Sequence, residues 1–166
     1  MIPPGRQARH TMAVLAIAPV VLLSSAVVAT PAEADTTCAQ AVARRPVYAA
    51  PGWTITCTTN LPHGWLGATS VSTRTIKIRT NQTNPLVTLG HELAHAYSYS
   101  EMTAALRTQF ARRLGYATFL SGSYYNRPAE VWANNQARCH GIAIPTSYKR
   151  VSCVLIREFE KKAQAT

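Results

Sequence analysis

Residues 91–95 read His-Glu-Leu-Ala-His, within a stretch of helical periodicity. Residues four apart lie on one face of a helix, so His91 and His95 can reach one ion together. Glu92 stands about 100° round the helix from His91, beside such an ion rather than on it. Asn84 is a suitable N-cap, and Pro85 suits the first helical position. Leu86, Leu89, Leu93 and Tyr97 recur at spacings of three and four, an apolar stripe centred about 180° from the two imidazoles. A fold containing this helix must bury the stripe and bring a further donor against the opposite face.

Two neutral imidazoles with an adjacent carboxylate are the layout of a zinc hydrolase, in which the carboxylate takes a proton from bound water. A third protein ligand is usual. Beyond residue 34 the acids are Asp35, Glu92, Glu101, Glu130, Glu158 and Glu160. Asp35 falls at the expected new terminus, and Glu158 and Glu160 lie in a charged tail. Glu101 stands where the metzincin pattern puts its third ligand, but Ser98 replaces the glycine that turns that chain back. As an acid in a helix's first turn it also has a plain role against the helix dipole. Glu130 fits better. Glu130, Ala133, Asn134 and Ala137 share one helical face, and the alanines allow close packing on the first helix. Asn134, one turn on, can hydrogen-bond a ligand imidazole and fix its tautomer. The expected ligands are His91, His95 and Glu130, with Glu101 as the alternative and one Zn2+ per chain.

The N-terminus reads as a secretory signal peptide over 1–34. Arg6, Arg9 and His10 form a positive region, Ala13 to Leu23 is apolar, and Ala32-Glu33-Ala34 is a cleavage site before Asp35. The expected mature domain is 35–166. It keeps fifteen basic and six acidic residues, a net charge of +9. Scattered basic pairs (Arg44-Arg45, Arg112-Arg113, Lys149-Arg150, Lys161-Lys162) come with no nucleic-acid motif. They suit weak, salt-sensitive association with an anionic cell wall or membrane surface. All four cysteines lie in this region, and an even count in an exported chain implies disulfides. Of three pairings the local one, Cys38–Cys57 with Cys139–Cys153, is expected, because each pair flanks the central motif. No C-x₂₋₄-C spacing supports a cysteine-ligated zinc.

The chain order predicts an α+β domain, a small N-terminal antiparallel sheet followed by helices. Trp53 to Cys57 reads as a strand, and Trp65 to Ser72 is a second candidate. Thr73 to Thr80 alternates and reads as an edge strand, with Lys77 and Arg79 discouraging aggregation. Helices are expected over about 85–98, about 101–114 capped by Ser100 and ended by Gly115, from Pro128 to about 138–140, and over about 148–163.

HELAH followed at some distance by a glutamate on a second helix resembles the gluzincin class of zinc metallopeptidases. Pro-Ala-Glu-Val-Trp-Ala-Asn at 128–134 is similar to the third-ligand helix of ImmA/IrrE-like proteins. The exported format with local disulfides also resembles small secreted actinobacterial proteins. The resemblance covers about 84–138 and departs at Asn134, where the best-known gluzincins carry an aspartate. It implies a zincin-like core and a zinc peptidase acting on a peptide or protein substrate; the signal peptide makes it a secreted one, and a monomer is expected. Glu92 would be the general base toward a metal-activated water, and the 73–80 strand would pair with substrate by strand addition. Tyr124, Tyr125, Arg127, His140 and Tyr148 are the candidates for stabilising the oxyanion; His63 has no partner in sequence. The competing classes are a zinc-binding protein without activity and a cationic wall-binding protein.

Overall fold

The sheet is built around the last of its strands to be made. A computed structural model describes residues 37–44 and 51–166 of the chain, so the signal-peptide reading at 1–34 lies outside the described residues. Strands β1 (Thr54–Thr58), β2 (Gly67–Ser70) and β3 (Thr75–Arg79) take the order β1-β3-β2. β1 runs parallel to β3, with Ile55 opposite Ile76 and Cys57 opposite Ile78. β2 runs antiparallel to β3, with Thr69 opposite Ile76. The sheet is therefore mixed, not antiparallel, and the 73–80 segment supplies its centre, not its edge. Alternation reports which face a residue takes, not how many neighbours the strand has. Ile76 and Ile78 are fully buried while Lys77 is exposed, a pattern that a central strand with one wet face satisfies equally well. The edge strands are β1 and β2, each paired on one side only.

Among the described residues five α-helices accompany this sheet, of which the first two pack against its strands. α1 (Cys38–Ala43), which the alanine-rich sequence did not announce, is started by a capping box between Thr37 and Gln40. α2 (Pro85–Ser100) carries HELAH. Asn84 occupies its N-cap position, but the side chain makes no capping bond, so Pro85 at the first turn is the operative start signal. α2 runs on through Ser100, which therefore does not cap the next helix. Thr103 does so instead: its Oγ1 accepts from Leu106 N at 3.1 Å, and α3 spans Ala104–Arg113. α4 (Pro128–Cys139) is followed by Gly141 at φ 88, a left-handed position that glycine fills without strain. α5 (Cys153–Gln164) begins later than expected, at a Ser152 cap.

α2 is held on both sides, by α1, β2 and β3 and by α4. Leu86, Leu89, Leu93 and Tyr97 are buried as the stripe requires, but Ala94 and Ala96 are buried as well. Only the imidazole side stays partly open. Ala133 and Ala137 are fully buried, and Trp132 Nε1 donates to Ala94 O at 3.2 Å, which joins α4 to the HELAH turn itself. Beneath them Phe110 of α3 meets Trp132 and Phe159 edge-on, with both centroid separations 5.2 Å. Among the described residues no helix is long and apolar enough to cross a membrane.

Two disulfides staple the ends of this assembly. Cys38–Cys57 ties α1 to β1, and Cys139–Cys153 ties the end of α4 to the start of α5. The second closes a separation of 14 residues. Loop-closure entropy for about 15 residues is worth about 3 kcal/mol. Replacing Cys139 and Cys153 together by serine should lower the unfolding free energy by about that amount, read as a lower urea midpoint, with a slope equal to or steeper than the wild type's because the freed unfolded chain exposes more surface.

Candidate metal centre

α2 and α4 bring three donor atoms to one point. His91 Nε2 and His95 Nε2 lie 3.1 Å apart. Glu130 Oε2 lies 3.2 Å from the first and 3.5 Å from the second. Tetrahedral bonds of about 2.0–2.1 Å space neighbouring donors about 3.3–3.4 Å apart. The three atoms therefore match one face of such a coordination sphere. Glu130 Oε2 is also buried without a hydrogen bond of good geometry, so the lone pairs converge on a shared point rather than on one another. Among the described residues this is the one group of metal-ligating side chains so clustered.

Asn134 sets the orientation. Its Nδ2 donates to Glu130 O one turn back at 2.8 Å, which leaves Oδ1 to face His91 Nδ1 at 3.1 Å. Oδ1 can only accept, so His91 carries its proton on Nδ1 and offers the lone pair of Nε2 to the cluster. The electrostatics favour a cation here. Burial alone would lower the His91 pKa, but the Glu130 contact, the charges of Glu92 and Glu130 and the Asn134 bond together raise it above its ordinary value. Burial alone would raise the Glu130 carboxyl, but its contacts with His91 and His95 hold it down to about 2. A metal ion bound here would replace the protons that otherwise bring positive charge to this point.

Glu92 stands beside the cluster, 8% exposed. Thr69 Oγ1, on β2, lies 2.6 Å from Glu92 Oε2 and 3.1 Å from Glu92 O. The next residue on that face, Gly67, leaves room for the same side chain. A Cβ there would lie 2.8 Å from Glu92 Oε1 and 2.6 Å from Thr88 Cγ2. Thr69 and Gly67 escaped the sequence reading. Their one signal was the small-residue run Gly67-Ala68-Thr69-Ser70, which marks a strand that another element approaches closely.

The cluster lies on a cleft of about 760 Å³, also lined by β2 and by the tyrosines Tyr124, Tyr125 and Tyr148. Burial, then the charges of Glu130 and Glu92, push the Tyr124 hydroxyl up to about 12, so it keeps its proton across the physiological range. The other expected residues are elsewhere. Glu101 is the C-cap of α2, outside the metal cluster and outside the first turn of α3. His140 Nε2 lies 2.7 Å from Glu160 Oε1, and Arg127 is the N-cap of α4 with its guanidinium over the Tyr124 ring. His63 sits in the exposed loop before β2. No known family model, characterised protein or solved structure matches the chain.

Proposed function

We propose that the chain is a secreted zinc-dependent peptidase with His91, His95 and Glu130 as metal ligands and Glu92 as general base. The observation that carries this is the convergence of His91 Nε2, His95 Nε2 and Glu130 Oε2 at 3.1–3.5 Å beside a held carboxylate on a cleft wall. Two nitrogens and one oxygen in tetrahedral spacing suit zinc better than the harder, six-coordinate cations. Zinc bound by these three residues would supply a water of lowered pKa and a Lewis acid for the carbonyl oxygen. Glu92 accepts the proton of the attacking water and passes it to the leaving amine, so that the amide C–N bond breaks without a charged nitrogen leaving group. Thr69 holds that carboxylate in place. Tyr124 lines the cleft and keeps its hydroxyl proton, so it can donate to the developing oxyanion, as can Tyr125 and Tyr148 on the same wall. Substrate pairing by strand addition moves from the 73–80 segment to β2, whose outer edge is open. Two disulfides favour an oxidising, extracellular setting, in line with the signal peptide read at 1–34. The exposed basic residues Arg112, Arg113 and Lys161 support weak contact with anionic surfaces.

The test is hydrolysis of a quenched peptide library by the purified protein. Cleavage that a chelator abolishes and added zinc restores is the expected result. A zinc-loaded protein that cleaves no peptide would overturn the peptidase reading and leave a zinc-binding protein.

Two variants probe the supports of the site. Asn134→Ala frees the His91 ring and should weaken zinc binding by about 10–100-fold, measured by competition with a chromophoric chelator. Gly67→Ala drives a methyl into Glu92, so kcat should fall about tenfold or more while zinc content stays at the wild-type value. Equal zinc content in the two proteins is the control that assigns the loss to the carboxylate.

A further inference from the structure

The chain carries 17 Lys and Arg residues and a net charge of +10, yet no Lys or Arg lines the cleft among the described residues. The nearby cations are turned to other tasks: Arg127 lies over the Tyr124 ring and Lys149 over Tyr116. The carboxylates that line the cleft are Glu92 and Glu130, the first engaged by Thr69 and the second by two imidazoles. A free C-terminal carboxylate would need a cation to hold it, and a free N-terminal ammonium would need a spare acid. The cleft offers neither.

It offers apolar surface instead. Trp65, Leu66, Val71, Leu120, Tyr124 and Tyr125 are 44–63% exposed, and all six line this cleft. Val154 is the one other large apolar side chain so exposed among the described residues. Trp65, Leu66 and Val71 flank the two ends of β2, and Leu120, Tyr124 and Tyr125 come from the segment between α3 and α4. Apolar exposure gathered in one concavity, and nearly nowhere else, marks a binding surface.

Building on the peptidase reading, we propose that the enzyme is an endopeptidase. It takes internal, extended segments with bulky apolar side chains beside the scissile bond and does not recognise a chain terminus. The open edge of β2 supplies backbone pairing that is indifferent to sequence, and the two apolar walls supply selectivity. Arg79 fixes one wall: its guanidinium donates to Trp65 O, Leu61 O and Pro62 O at 2.6, 3.0 and 2.9 Å, which pins the loop that presents Trp65 and Leu66.

The experiment compares three quenched octapeptides on the zinc-loaded protein. One has Phe and Leu beside the central bond and acetylated and amidated ends. The second has the same sequence with free ends, and the third has blocked ends with Lys and Glu beside the bond. The first two should be cleaved at the central bond with kcat/KM within about twofold, and the third should be slower by about tenfold or more, the scale of one buried side chain. Dependence on a free terminus, or equal cleavage of the charged peptide, would overturn the inference while leaving a peptidase. Binding is read separately on Glu92→Gln protein by calorimetry. The blocked apolar peptide should bind at least about tenfold more tightly than the charged one, and Leu120→Asp, at an exposed position, should remove most of that difference. If no peptide is cleaved but this preference holds, the catalytic reading fails and the apolar site stands. If neither cleavage nor preference is seen, both fall.

Discussion

Glu92→Gln should retain the metal of the wild type and lose hydrolysis by about 10²–10⁴-fold, the range for removing a general base. The amide has the size of the carboxylate and can still accept from Thr69, whose hydroxyl lies 2.6 Å from Glu92 Oε2. Folding and zinc content should therefore be unchanged. What is lost is the capacity to take a proton. The readout is kcat on a cleaved peptide with zinc measured in the same sample. If the variant keeps more than about a tenth of the wild-type kcat, Glu92 is not the base.

Glu130→Ala should be as damaging by another route. Its carboxylate is the one anionic donor of the cluster and approaches both imidazoles, at 3.2 and 3.5 Å. Alanine leaves two histidines, too few to hold a catalytic zinc. Zinc affinity should fall by more than the about 10–100-fold expected for loss of a ligand's hydrogen-bond partner, and hydrolysis should fall to background. A ligand that binds only the folded state stabilises it by about 2.7 kcal/mol at 100 times its dissociation constant. Added zinc should therefore raise the melting temperature of the wild type and not that of Glu130→Ala. A Glu101→Ala protein should behave as the wild type does, because Glu101 caps the far end of α2.

The sequence revealed the helices of this site more readily than the sheet beside them. Pro85 and Pro128 mark the starts of α2 and α4 because the ring fixes the first turn, and Gly141 marks an end because its backbone is left-handed. The disulfides followed from local spacing. Strand order did not follow. Lys77 and Arg79 looked like edge protection, but charges on a solvent face say nothing about what pairs alongside. Ser100 and Thr103 are both capable caps, and the choice was made by how far α2 packs on its neighbours, a tertiary quantity. The site divides in the same way. His91, Glu92, His95 and Glu130 were named because metal ligation demands particular side chains. Thr69 and Gly67 were not, because a hydroxyl and a missing Cβ acquire meaning only once β2 lies against Glu92.

The proposed chemistry requires a metal held by His91, His95 and Glu130. Elemental analysis of the purified wild-type protein tests that most directly. About one zinc per chain is the predicted result. No zinc, even after loading and removal of excess, would contradict it, and the His91–His95–Glu130 cluster would then be an imidazole–carboxylate contact in a basic, disulfide-linked protein.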